Sequence, residues 1–253
     1  MQIAHATDIG LMRSTNQDAF AAHTFSDDAA FVIVCDGMGG TAAGHIASSS
    51  AVKIISESVI SNFKADISSN SIKSLLQSAI IAANISIYDM QTSVKDLKGM
   101  GTTVVACLIS GNVAHIMHAG DSRAIIFNKD LTYNQITTDH SIVQTMVESG
   151  ELTENEARAH PRKNIITRAL GVNETIELDY NEIDLKNDDT LMLATDGLTN
   201  FVDYEKIKEI FNGNKFMQIP QALVNIANKN GGGDNITTVI VKHQTKEQNN
   251  DNR

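Results

Sequence analysis

The sequence predicts an α+β fold built on antiparallel sheet, and three observations predict it. Short β-branched runs close on turn residues, two of these runs are joined by the two-residue turn Gly111-Asn112, and long amphipathic stretches lie between runs. A two-residue connection can join only antiparallel neighbours. In chain order, the first run covers 31–35 and ends at Asp36-Gly37. Helical patterns follow at 47–62 and 71–91, the second with Ser71 as N-cap and Leu75, Ala79, Ile80 and Ala83 on one stripe. The runs 102–110 and 113–119 form the hairpin, and 124–127 pairs with 131–136 across Asn128-Lys129-Asp130. Two short helices are expected at 141–149 and 153–159, the latter opened by the capping-box spacing Thr153-x-x-Glu156. A strand at 190–195 precedes a helix at 219–229, which carries Pro220 in its first turn and Gly231 just past its end. The last strand is 236–241, and 242–253 is almost wholly polar and expected to be disordered. No linker interrupts residues 1–241, so one domain is expected there.

Composition narrows the function. The 253 residues carry 20 Lys+Arg against 30 Asp+Glu, a net charge of −10, with no basic stripe to grip a phosphate backbone. Nucleic acid is not an expected partner. The longest apolar run, 29–35, is far short of the roughly 18 residues that a membrane helix needs. The start, Met1-Gln-Ile-Ala-His-Ala-Thr, has neither a basic leader nor an apolar signal core, so a cytoplasmic protein is expected, and nothing suggests more than a monomer. Cys35 and Cys107 sit in apolar β runs and read as small buried hydrophobes. The eight His show no His-Glu-x-x-His spacing, and His115, His118 and His140 read as structural. Any metal must then be held by oxygen.

Four strands have an Asp at or beside an end: Asp36 after 31–35, Asp121 after 113–119, Asp196 after 190–195, and Asp234 before 236–241. Any one of them is ordinary turn chemistry. Together they can meet at one rim of a shared core, where carboxylates repel unless a cation neutralises them. An all-oxygen set suits Mg²⁺ or Mn²⁺. Gly37, Gly39 and Gly40, and Gly231 to Gly233 beside Asp234, let backbone approach an ion or a phosphate. Two such ions could acidify water and clamp a phosphoryl group. Arg13 could then hold the phosphate oxygens bidentately, although alone it would read as a surface Arg.

The ordered motifs Asp8-Ile-Gly10, Arg13-x-x-Asn16-Gln17-Asp18, Asp36-Gly-Met-Gly-Gly40, Gly99-Met-Gly-Thr-Thr103, Gly120-Asp-Ser-Arg123, Asp139-His-Ser141, Asn164-Ile-Ile-Thr-Arg-Ala-Leu-Gly171, Thr195-Asp-Gly-Leu198 and Gly233-Asp-Asn-Ile-Thr237 span almost the whole chain. In that order they resemble PP2C-type (PPM family) protein phosphatases, most of all the short bacterial branch. The resemblance implies a four-layer α-β-β-α sandwich of two antiparallel sheets with helices on both outer faces and a metal site in a cleft at one sheet edge. It implies hydrolysis of phosphoserine and phosphothreonine proteins by metal-activated water without a covalent phosphoenzyme, those proteins being substrates of a Ser/Thr protein kinase. By position, Asp36 would bridge two Mn²⁺ or Mg²⁺ ions, Gly37 would add its carbonyl, and Asp196 and Asp234 would hold the first ion. Asp121, with Asp196, would hold a weaker third. Arg13 matches the phosphate-binding Arg and Asp18 a supporting carboxylate, while Asn235 could serve the site or only its turn. Residues 141–171 match the flap, where substrate choice is expected unless the segment is an ordinary insertion. Met38 stands where eukaryotic members carry a His proposed as general acid, and Asn200 where many members carry Asp.

Two other readings compete. Gly37-x-Gly39-x-x-Ala42 after a strand, with Glu57 further on, imitates a dinucleotide fingerprint. Asp36 beside a pyrophosphate and the antiparallel hairpins oppose it. A phosphoprotein-binding module without catalysis would be expected to have lost the carboxylates that this chain keeps.

Overall fold

The structure, a computed structural model, describes residues 1–40 and 43–244. Its elements are β1 (Gln2–Asp8), β2 (Asp18–Ser26), β3 (Ala29–Met38), α1 (Ala43–Asn62), α2 (Ser69–Ser93), β4 (Gly101–Thr102), β5 (Val104–Ser110), β6 (Val113–Ala119), β7 (Arg123–Phe127), β8 (Tyr133–Gln135), α3 (Ile142–Glu148), α4 (Glu154–Ala159), β9 (Asp179–Asp184), β10 (Thr190–Ala194), α5 (Asp196–Thr199), α6 (Tyr204–Gly213), α7 (Ile219–Lys229) and β11 (Ile236–Lys242). One sheet runs β1-β11-β10-β7-β8 and the other β2-β3-β5-β6-β9, with β4 paired to β3. All pairs are antiparallel.

Residue alternation explains the layers. Along β3, Phe31, Ile33 and Cys35 pack against α1 and α2, while Val32 and Val34 face the other sheet and meet Val105, Leu191, Leu193 and Val239. A strand covered on both faces must be apolar throughout, as 29–35 is. Each such side chain contributes about 1.5–3 kcal/mol by leaving water. On the far face, Ile125, Met192 and Ile240 pack against Ile207, Leu223 and Val224 of α6 and α7. The result is the expected four-layer sandwich. Cys35 and Cys107 are buried and free. Among the described residues no helix is long and apolar enough to cross a membrane.

Several elements differ from the sequence reading. The α2 N-cap is Ser68, whose side chain accepts from the Ser71 N–H, and Leu75 lies beside a buried stripe of Ile72, Leu76, Ala79, Ile80 and Ala83. The expected strand 102–110 breaks at Thr103, so that Gly101 and Thr102 pair with Met38 and Gly37 while β5 continues against the rest of β3. Leu131 adopts φ 62 and belongs to the β7–β8 turn. Lys242, assigned to the polar tail, is instead the last residue of β11 and pairs with Gln2, and His243 is buried. Residues 245–253 of that tail lie outside the described residues. So does Ala42 of the glycine pattern, whose dinucleotide reading fails because β3 has only antiparallel neighbours. The sequence reading contains no counterpart of β1, β2, β9, α5 and α6.

Candidate active site

The site starts where β3 leaves the core. Asp18 of β2 lies directly opposite Asp36, a cross-strand pairing of like charges that repel. The Asp36 backbone is clamped: its N–H donates to Thr103 Oγ1, and its carbonyl accepts from the Thr103 N–H and from Thr102 Oγ1, each at 2.9 Å. Thr103 Oγ1 is 2.8 Å from Ser122 Oγ, next to Asp121. Gly37 donates its N–H to the Gln17 carbonyl at 3.1 Å. A Cβ there would stand 2.1 Å from the Gly44 carbonyl oxygen, so only glycine lets β3 pass the start of α1.

The other sheet supplies Asp196 and Asp234, and Asp121 lies where the chain crosses from β6 of the first sheet to β7 of the second. Asp121 follows β6, Asp196 opens α5 directly after β10, and Asp234 precedes β11. Antiparallel pairing of Ala194 with Thr238 brings Asp196 and Asp234 to the same end. Thr195 joins the two sheets, its Oγ1 donating to Asp18 Oδ2 at 2.9 Å and accepting from the Thr237 N–H at 3.0 Å. Asn200 Nδ2 donates to Asp196 Oδ2 at 3.0 Å.

The loop that carries Arg13 is tied to this rim by Asn235. That side chain accepts from the Gln17 N–H at 2.8 Å and donates to the carbonyls of Ile9 and Thr15 at 2.9 and 3.0 Å. Gly10, at φ +78, lies so close that a Cβ would be 2.2 Å from the Asp234 carbonyl oxygen. Arg13 Nη2 then reaches Asp234 Oδ2 at 2.8 Å with its side chain still 50% exposed. The seven predicted residues Arg13, Asp18, Asp36, Gly37, Asp121, Asp196 and Asp234 thus meet at one rim.

Desolvation is the largest influence on these carboxyls. It pushes Asp18 up to about 7, with hydrogen bonds to Thr237 and Thr195 opposing and the charges of Asp196 and Asp234 reinforcing. Asp196 rises to about 6 through desolvation and the charge of Asp234, with the neighbouring Asp36 and the charges of Arg123 and Arg13 opposing. Asp36 is driven well above the usual range by desolvation and then by Asp18, Asp196, Asp121 and Asp234. Asp121 is raised likewise by desolvation, Asp196 and Asp139. Among the described residues, Asp18 Oδ1 and Asp196 Oδ1 are buried with no hydrogen-bond partner. Unengaged oxygens, mutual repulsion and an all-oxygen donor set fit a hard divalent cation.

A second cluster is chemically different. His118, His140 and Asp179 offer ligand atoms within 4.8 Å of one another. However, His140 Nδ1 accepts from the Gly120 N–H at 3.1 Å, which puts its proton on Nε2, 3.2 Å from Asp179 Oδ2. Arg168 Nη1 also sits 2.8 Å from Asp179 Oδ1. His140, Asp179 and Arg168 form a hydrogen-bonded strut, while His118 stacks on His140 and meets the Thr138 carbonyl through Nε2 at 2.9 Å.

The sequence does not single out Thr102, Thr103 and Thr195 as groups that hold the site, and of the two roles it offers for Asn235 the hydrogen bonds to Gln17, Ile9 and Thr15 favour the site. Each lies inside one of the ordered motifs, which was the only available signal, because their partners are distant in sequence.

The protein phosphatase 2C family model matches residues 12–240. The serine/threonine phosphatase stp of Listeria innocua is 36% identical over 252 residues, covering 99% of both chains. The crystal structure of the Mycobacterium tuberculosis serine/threonine phosphatase PstP/Ppp superposes with a TM-score of 0.87 at 31% identity, over 96% of this chain and 99% of that one. The catalytic domain of PstP in complex with two manganese ions superposes with a TM-score of 0.84 at 31% identity, covering 96% of this chain and 98% of that one.

Proposed function

The chain belongs to the protein phosphatase 2C family, and on that premise we propose that it hydrolyses phosphoserine and phosphothreonine in proteins phosphorylated by a Ser/Thr protein kinase. Residues 1–241 act as one phosphatase domain with 141–171 as its flap. The observation that carries this reading is the ring of Asp18, Asp36, Asp121, Asp196 and Asp234 at one sheet rim, with unengaged buried oxygens and Arg13 beside it.

Asp36 would bridge two Mn²⁺ or Mg²⁺ ions with the Gly37 carbonyl, Asp196 and Asp234 completing the protein ligands, and Asp121 with Asp196 would hold a weaker third. When bound, such ions supply Lewis acidity that polarises the phosphoryl group and acidifies water. The protein's own groups do the rest. Arg13 offers a half-exposed guanidinium whose orientation is set by Asp234, so its free N–H groups can take two phosphate oxygens and resist their movement. Asp18 is fixed through Oδ2 by Thr195, which leaves Oδ1 to orient water. The clamps on Asp36 and Asn235 keep these groups in register as charge develops, so little reorganisation is needed.

The test is hydrolysis of p-nitrophenyl phosphate and a phosphothreonine peptide with Mn²⁺ or Mg²⁺, with EDTA, and with Asp36→Asn and Asp234→Asn. Activity should require the metal and fall steeply in both variants. Activity that survives EDTA, or both substitutions, refutes the reading.

A further inference from the structure

A cleft of about 430 Å³ opens beside Asp121 and Asp196, between the α3–α4 segment and the β7–β8 hairpin. That volume falls within the range of small-ligand pockets. Its charges can be assigned one at a time. Asp139 is neutralised by Arg123, which grips it with Nε at 2.9 and 3.1 Å and Nη2 at 2.6 Å and places Nη1 3.2 Å from the Tyr204 hydroxyl. Asp121 and Asp196 belong to the carboxylate ring. What is left is Arg158 and Lys163 on the flap against Glu154. Neither cation has an ion-pair partner among the described residues. Arg158 and Tyr204 line the same cleft.

We propose that Arg158 and Lys163 form a subsite for an anionic side chain of the phosphoprotein, a carboxylate or a second phosphate flanking the group being hydrolysed. The subsite rests on the phosphatase reading above and refines it to a substrate class. A guanidinium fits either oxyanion bidentately, and an ammonium beside it adds a point charge. Arg13 lies on another loop and is bonded to Asp234, so it does not serve this cleft. A cationic flap wall next to an acidic metal rim would favour a peptide with a second anion and disfavour a basic one.

The experiment compares kcat/KM, at fixed Mn²⁺, for phosphothreonine peptides flanked by Ala, by Asp, by a second phosphothreonine and by Lys, with p-nitrophenyl phosphate as control. The wild type should prefer the anionic peptides by about tenfold, the factor expected of one charge-assisted contact, and less so at high salt. The larger gain, Asp or phosphothreonine, identifies which oxyanion the subsite takes. Arg158→Gln and Lys163→Gln should each reduce the preference, and Arg158→Glu should shift it toward the Lys peptide, with p-nitrophenyl phosphate rates unchanged. Arg158 is exposed and Lys163 half-buried with no ion-pair partner among the described residues, so these substitutions should spare the fold. Equal wild-type rates on Asp and Ala peptides, or a preference that survives Arg158→Glu, overturn the subsite. Failure to hydrolyse any peptide or the control ester with Mn²⁺ overturns the phosphatase reading itself, and the subsite with it.

Discussion

Asn235 offers the sharpest test of how the rim is held together. Its side chain is 4% exposed and makes three hydrogen bonds, accepting from Gln17 N–H and donating to the Ile9 and Thr15 carbonyls. Asn235→Ala removes all three and leaves partly buried partners unpaired. At about 1 kcal/mol for each bond the loss is about 3 kcal/mol. For a chain of this size, each kcal/mol lowers Tm by about 2–4 °C, so the fall should be about 6–12 °C. The measurement is thermal unfolding in EDTA, so that no change in metal binding enters the result. The same substitution frees the loop that carries Arg13, whose orientation depends on Asp234 next door. kcat/KM on a phosphothreonine peptide should therefore fall more than tenfold, the scale of a lost phosphate contact. A Tm within about 2 °C of wild type, or an unchanged kcat/KM, would refute the tether.

Two further outcomes concern charge. Asp18 and Asp196 are raised to about 7 and about 6, and Asp36 and Asp121 are raised as well, so the folded metal-free protein holds protons that the unfolded chain releases near pH 4. These carboxyls should accordingly take stability away in EDTA as pH rises from about 4 to about 7, against His115, His118, His140 and His243, which desolvation pushes down and which act in the opposite sense. Urea midpoints of wild type and Asp36→Asn at pH 5 and pH 8 isolate the carboxyls: the wild type should lose more stability than the variant over that interval, and an equal change in the two contradicts the account. Asn200→Asp removes the 3.0 Å donor to Asp196 and adds a charge, so it should destabilise the metal-free protein by about 1–3 kcal/mol while lowering the Mn²⁺ concentration at half-maximal Tm gain. Calorimetric titration showing unaltered Mn²⁺ affinity would exclude that role for the position.

Much of this arrangement was legible in the chain. Buried β3 announces itself as an unbroken apolar run, the β5–β6 hairpin by Gly111-Asn112, and α4 by a capping box that the structure contains. β1 and β2 were hidden because they bury small or mixed residues such as Ala4, Ala6 and Ala19, which give a weak alternating signal. The break at Thr103 has no local cause: it follows from hydrogen bonds to Asp36, 67 residues earlier in the chain. The aspartates could be found because they sit at strand ends, whereas the groups that orient them could not, because each bonds to a segment distant in sequence.

The opposed pair Asp18 and Asp36 shows why the rim is built from two sheets. Like charges in directly opposed positions weaken a β ladder, and burying carboxylates without partners costs more. A single sheet carrying that pair could relieve it by slipping register. Here slippage would move Val32 and Val34 out of the layer shared with Leu191, Leu193 and Val239, where each side chain contributes about 1.5–3 kcal/mol. The apolar interior therefore holds the acids in place against their repulsion, and the links Thr195 to Asp18 and Thr103 to Ser122 carry that constraint from one sheet to the other. Part of the chain's net charge of −10 is thus concentrated where the fold cannot disperse it. Divalent cations relieve the strain at its source, so cation binding and sheet alignment should reinforce each other, and the strain persists in the metal-free protein because the remaining core tolerates it.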